Sequence, residues 1–299
     1  MIWIFVTLAA ASLQTMRFMV QKKLRMDALS SGGATYARFV YAGPLIVAVA
    51  LGYLLWRGAG FPQLSPRFWA LATVGGITQI LATMCLVSLF QLRNFTVGMT
   101  FAKTEVLLTA LLGMIVLGEM VTLWAGVAIG IGVIGAILLS DIPVSQGHFG
   151  QRILNRGTAL GLGAGLLFSI CSVAYRGATI EIPSGDVLTR SLTTLMVVIL
   201  IQAALMTVFL RLREPGQITA VLKSWRVAIW VGLLSLGGSI GWFTAFAMQN
   251  AAYVKAVGQI EIAFSIAITT LVFGESITRR EIWGVGFLLA SVVFLILVA

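Results

Sequence analysis

The chain has 299 residues, of which 59% are hydrophobic and 10% charged, and its mean hydropathy is +1.02. That balance excludes an ordinary water-soluble domain and implies an integral membrane protein. A net charge of +10 would suit nucleic acid if it were clustered. Instead the basic residues lie in short connections beside apolar runs, so no nucleic-acid partner is expected.

Inside a bilayer each backbone polar group must be paired within the protein, and the apolar runs here have helix length without alternation, so the class is all-α. Windows of about 20 apolar residues give ten transmembrane helices, at 2–21, 33–56, 68–91, 97–117, 122–140, 157–176, 186–210, 226–248, 254–273 and 281–298. The first is similar to the apolar part of a secretion signal. It lacks a preceding basic residue and continues through Met16 and Val20 to Lys22 and Lys23, so it reads as a retained span. Cys85 and Cys171 lie in apolar segments without metal-ligand spacing and read as packing residues. No metal or other cofactor is expected.

The longest connection, 141–156, holds Pro143, Gly147, His148 and Gly150 and reads as a linker between a first five-helix repeat, 1–140, and a second, 157–299. Laid in register, Asn94 falls on Asn250, Glu105 on Glu261, Thr109 on Ser265, Gly118-Glu119 on Gly274-Glu275 and Thr122 on Thr278. Near the start of each half, Arg38 falls on Arg190. An odd number of helices per half makes the copies run in opposite directions. The expected architecture is therefore two inverted five-helix repeats, with a solute site near the midplane.

Loops after the odd-numbered helices carry most of the basic residues, including Lys22, Lys23, Arg25, Arg211, Arg213, Arg279 and Arg280; the other side has Arg57, Arg67, Arg176, Arg190 and Lys255. The first set is expected to face the cytoplasm, which leaves both termini outside.

Each Gly-Glu pair ends an apolar run, is followed by Thr, and precedes a helix carrying Trp and Gly (Trp124 with Gly126; Trp283 with Gly284). This pattern, with Arg38-Phe39 opening the second helix, resembles the drug/metabolite transporter superfamily in its ten-helix, EamA-type permease form. The resemblance implies a carrier of small metabolites such as amino acids, sugars, nucleotide sugars, vitamins or drugs. It also implies a central cavity lined by helices 1, 3, 4, 6, 8 and 9. Two features depart from the family pattern: the most basic loops follow helices 1 and 7, and Lys103 and Glu105 replace the usual small or apolar residues of helix 4.

Ionisable residues within membrane helices are costly and usually functional, so Glu105 and Glu261 are the candidate proton-coupling groups. An Arg17–Glu105 pair is expected, either as a lock between helices or as a pair opened by proton or solute. Lys103, two residues before Glu105, would point about 200° away on a continuous helix. It would then snorkel to the interface or meet an acid elsewhere. Gln14, Arg17, Gln79, Thr83, Tyr175, Trp242, Phe246 and Gln259 are the candidate substrate-binding residues, offering hydrogen bonds and an aromatic wall. Glu119 and Glu275 read as caps beside turns. Glycines spaced as Gly126 and Gly130 suggest close helix packing.

The expected function is secondary active transport of a small polar or amphiphilic metabolite, an amino acid or amine favoured, by alternating access with proton coupling. Solute exchange and lipid or lysolipid translocation are the alternatives. No nucleophile-base-acid arrangement points to an enzyme. A bacterial-type inner membrane, lipid contact and a monomer or homodimer complete the expectation.

Overall fold

The computed structural model describes residues 1–27, 29–89, 102–139, 156–184, 186–264 and 279–298. Its helices are α1 (Ile2–Asp27), α2 (Ser31–Trp56), α3 (Pro66–Leu89), α4 (Glu105–Leu117), α5 (Leu123–Leu139), α6 (Arg156–Glu181), α7 (Val187–Arg213), α8 (Gln217–Lys223), α9 (Trp225–Met248), α10 (Ala251–Gly258) and α11 (Arg279–Val298). Among the described residues there is no strand. Six helices, α1, α2, α3, α6, α7 and α9, are long and apolar enough to cross a bilayer; α4, α5 and α11 are shorter apolar helices. Large apolar side chains such as Leu55, Trp56, Ile115, Trp124, Leu212 and Trp230 stay exposed, as on a surface meant for lipid rather than water. The chain is a multi-pass membrane protein.

Several boundaries differ from the sequence reading. α1 runs on to Asp27, past the apolar window that ends at residue 21. The connection after the seventh span folds a further short helix, α8, opened by Gly216 at φ 87°. The ninth span is not one uninterrupted helix: α10 ends at Gly258 and a new turn starts at Glu261. The linker 141–155, the start of the fourth span and the residues Ser265, Val272, Gly274, Glu275 and Thr278 lie outside the described residues.

The main helix contacts are α3 on α6, α5 on α11, α1 on α9 and α2 on α7, with α4 set against α6 and, less extensively, α10. Small residues permit the close approaches. A Cβ on Gly241 would lie 2.8 Å from that of Ala10, and one on Gly135 would lie 2.9 Å from the Gly284 carbonyl oxygen. Gly126 and Gly130 instead face open space, so the close α5–α11 contact uses Gly132 and Gly135.

Local caps fix the helix starts. Ser30 Oγ accepts from Gly33 N–H at 2.8 Å to cap α2, and the same residue binds Glu214 through its hydroxyl and Gln217 through its N–H (2.9 Å). Asp186 caps α7, accepting from Thr189 N–H at 2.9 Å, the Thr189 hydroxyl at 2.6 Å and the Tyr53 hydroxyl at 2.9 Å. Burial opposes the Asp186 charge, but these donors outweigh it and hold the carboxyl below its usual range. A depressed carboxyl stabilises the fold fully above its unfolded pKa, and the gain is lost as pH falls through the folded one. Asp186→Ala should therefore cost about 1–2 kcal/mol at neutral pH. Thermal unfolding in detergent checks this, and the gap to wild type should close in acid.

Candidate functional site

Two helix breaks set the centre of the molecule. A tight turn at Lys103 and Thr104 precedes α4, with Thr104 at φ −60° and ψ −16°. Gln259 and Ile260 form the other after α10, with Gln259 at φ −58° and ψ −17°. The N–H groups of Gln259, Ile260 and Ile262 reach back three residues, to Ala256, Val257 and Gln259, at 3.1–3.2 Å. These are 3₁₀ bonds, which inside a helix commonly mark a hinge. In the sequence register that pairs Glu105 with Glu261, Lys103 and Thr104 fall on Gln259 and Ile260, so both breaks stand immediately before a glutamate.

Each glutamate is held by a lysine from the other break. Lys103 Nζ lies 2.6 Å from Glu261 Oε1, and Lys255 Nζ lies 2.5 Å from Glu105 Oε1, the latter off the direction of a good hydrogen bond. Glu105 occupies the first turn of α4 and Lys255 the last turn of α10. Each charge thus sits at the helix end whose dipole favours it, worth about 0.3–1 kcal/mol apiece. The four side chains are 12–20% exposed, so the pairs are shielded without being sealed.

Neutral groups complete this centre. Gln14 on α1 donates to Glu261 Oε2 at 2.8 Å and accepts from Trp242 Nε1 at 3.1 Å. Lys255 Nζ stands 4.7 Å from the Trp242 ring centre and 5.9 Å from that of Phe168. Trp242 stacks on Phe246 at 6.1 Å and covers Gly258, where a Cβ would meet the indole at 2.4 Å. Gly258 is therefore the residue that lets α10 end beneath this ring. Thr15 packs at the same level, its hydroxyl 3.4 Å from the Glu261 carbonyl oxygen.

Gln79, Tyr175 and Gln202 form a second polar knot. Gln79 Oε1 accepts from the Tyr175 hydroxyl at 3.0 Å and Gln202 Nε2 at 2.9 Å, while Gln202 also reaches the Gly76 carbonyl at 3.1 Å. This knot ties α3, α6 and α7. Tyr175 stacks against Phe243 at 4.6 Å. Among the described residues, the Thr83 hydroxyl and Gln259 Oε1 are buried without a hydrogen-bond partner.

At one end of this bundle, Arg176 on α6 donates through Nε to Glu119 Oε1 at 2.7 Å and through a terminal nitrogen to the Phe246 carbonyl at 2.6 Å. Glu119 Oε2 accepts from Ala251 N–H at 3.2 Å, capping α10 from another segment of the chain. Gly118 makes this possible. Its φ of 67° ends α4 in the left-handed region, which glycine enters without strain, and turns Glu119 across the gap.

One sequence expectation changes and two others are sharpened. Arg17 does not pair with Glu105: it donates to Gln21, one turn on, at 3.2 Å, and Glu105 takes Lys255 instead. Of the two alternatives for Lys103, the structure has the second: it meets an acid elsewhere, Glu261, while Glu105 takes Lys255, so both reach the ninth span. Gln14, expected only as a solute contact, donates to the Glu261 side chain. Lys255, Arg176 and Gln202 were not singled out as site residues. An Arg and a Glu at apolar helix ends in opposite halves was the available signal for Arg176 and Glu119.

A solved structure titled only "Crystal structure of protein" is similar in fold, with a TM-score of 0.73 and 15% identity, over 100% of this chain and 96% of that chain. No curated protein matches the chain. Residues 1–141 match the model of the EamA-like transporter family, a likeness that supports membership of the drug/metabolite transporter superfamily.

Proposed function

We propose that this protein is a secondary active transporter that moves a small polar or amphiphilic metabolite by alternating access, coupled to protons through Glu105 and Glu261. The reciprocal exchange of lysines between the two helix breaks carries this reading. In the closed arrangement each carboxylate neutralises a lysine of the opposite segment. A proton or a charged solute group arriving at either glutamate frees its lysine, and the contact between α4 and the ninth span loses its electrostatic support. The energy that held the segments together then becomes available to part them.

Two inverted repeats of five helices, 1–140 and 157–299 with a linker at 141–156, give this motion its form. Exchange of span n with span n+5 turns α3–α6 packing into α9–α1 packing and returns α2–α7, α4–α10 and α5–α11 to themselves, which supports the duplication. An amino acid or amine suits the glutamates and the Trp242 face. Gln14, Arg17, Gln79, Thr83, Tyr175, Trp242, Phe246 and Gln259 remain its proposed contacts, in a bacterial-type inner membrane with both termini outside the cytoplasm.

Purified protein in liposomes, screened with labelled amino acids and amines, tests the proposal. Uptake should rise when a pH gradient is imposed and collapse when it is dissipated. Equal flux in both conditions would remove proton coupling and favour solute exchange; flux of lipid alone would favour a translocase.

A further inference from the structure

Among the described residues, two buried arginines have no carboxylate partner. Arg17 on α1 is 3% exposed and Arg38 on α2 is 7% exposed. Arg17 donates to the neutral Gln21 at 3.2 Å and lies over the Phe18 ring at 4.2 Å. Arg38 donates to the Ser239 hydroxyl at 3.3 Å and lies 5.4 Å from the Phe39 ring centre. Gln21, which holds Arg17, donates to the Ala34 carbonyl at 2.8 Å, one turn before Arg38 on α2, and Gln14, one turn before Arg17 on α1, donates to Glu261. Every described carboxylate is engaged elsewhere: Glu105 with Lys255, Glu261 with Lys103, Glu119 with Arg176, Glu181 with Arg67, Asp186 with Thr189 and Glu214 with Ser30. Among the described residues, four interior cations, Lys103, Lys255, Arg17 and Arg38, therefore stand against two acids, Glu105 and Glu261.

A buried guanidinium without a counter-ion is expensive, and two on neighbouring turns of α1 and α2 are more so. Ring contacts and single neutral acceptors use few of the five N–H donors that each carries. The α1 face that holds Arg17 also holds Gln14, one turn away, which binds Glu261. The orphaned Ser235 hydroxyl lies one turn before Ser239 on α9. The unmet demand is for an anion one helical turn from the Glu–Lys centre.

We propose that Arg17 and Arg38 form an anion subsite that takes the carboxylate of the solute. Their planar donors fit a carboxylate in a two-pronged arrangement. Glu261 nearby disfavours a dianion such as phosphate and favours a solute with one carboxylate and, a turn away, a cationic group facing the glutamates. A simple amine lacks the group that this subsite needs. The inference rests on the transporter reading for its role in transport, but not for binding.

The test uses the purified full chain in detergent at neutral pH, with protein amino acids, their deaminated acids, their decarboxylated amines and inorganic phosphate as probes of the unfolding temperature. At least one carboxylate-bearing probe should stabilise the protein, and its matched amine should not. Arg17→Gln and Arg38→Gln should each weaken that binding about tenfold to a hundredfold, whereas Arg→Lys at either position should weaken it less. The ligand-free variants should be at least as stable as wild type, because a strained charge has been removed. Stabilisation by amines or phosphate alone, no response to any carboxylate, carboxylate binding unchanged in both Gln variants, or ligand-free Gln and Lys variants that all unfold far earlier would each overturn the proposal. Arginine-dependent binding of a carboxylate that liposomes fail to move would sink the transporter reading and leave the subsite standing. Transport of an amine at undiminished rate by Arg17→Gln would do the reverse.

Discussion

Glu261→Gln is expected to lower stability by about 3 kcal/mol, the size typical of stranding one member of a shielded ion pair, and to abolish gradient-driven uptake. Lys103 sits 2.6 Å from the lost carboxylate with its side chain only 12% exposed, so water cannot replace the partner. The Lys103→Gln/Glu261→Gln double variant removes both charges and should recover most of the lost stability, since a neutral pair leaves no uncompensated charge behind. Uptake should stay absent in the double variant because the proton site is gone. Thermal unfolding and liposome flux separate the two effects. A single variant with normal stability and normal flux would remove Glu261 from the mechanism.

Glu119→Ala is the second change with a large expected effect. It takes the ionic partner from Arg176, whose side chain is 15% exposed, and the acceptor from the first N–H of α10. The combined cost should be about 3 kcal/mol. Because Arg176 and Glu119 join the ends of α4, α6, α9 and α10 on one face, the variant should also open the interior from that side. Cys171, 3% exposed on α6, is a built-in reporter. In a Cys85→Ser background a membrane-impermeant thiol reagent should label Cys171 slowly in the parent and much faster after Glu119→Ala. Equal labelling rates would show that the Arg176–Glu119 contact is a local cap and not a closure.

The helical class and most membrane spans were legible because length and hydropathy are local properties: α2, α3, α6, α7 and α9 lie where apolar windows put them. Glu105 and Glu261 stood out because charge is rare in such windows. Their partners did not, since Lys103 to Glu261 and Lys255 to Glu105 are contacts between distant segments that no local spacing encodes. The helix breaks were hidden for a different reason. Lys103-Thr104 contains neither Pro nor Gly, so the usual breaker signal is absent there, and Gly258, which borders the Gln259-Ile260 break, is one glycine among many in apolar runs of this chain. Gly258, which fits under Trp242, is intelligible only once the indole is in place. Gly118 was readable as a helix end, but what Glu119 caps lies on α10, beyond the reach of sequence spacing.

The exchange of lysines between two glutamates predicts that a glutamate changes protonation when solute binds. Infrared difference spectra of the purified protein, recorded with and without a transported solute, read this directly. A carboxylic-acid band should change on solute addition, and Glu105→Gln or Glu261→Gln should erase it. Both glutamates remaining ionised in the free and the solute-bound protein would contradict the account.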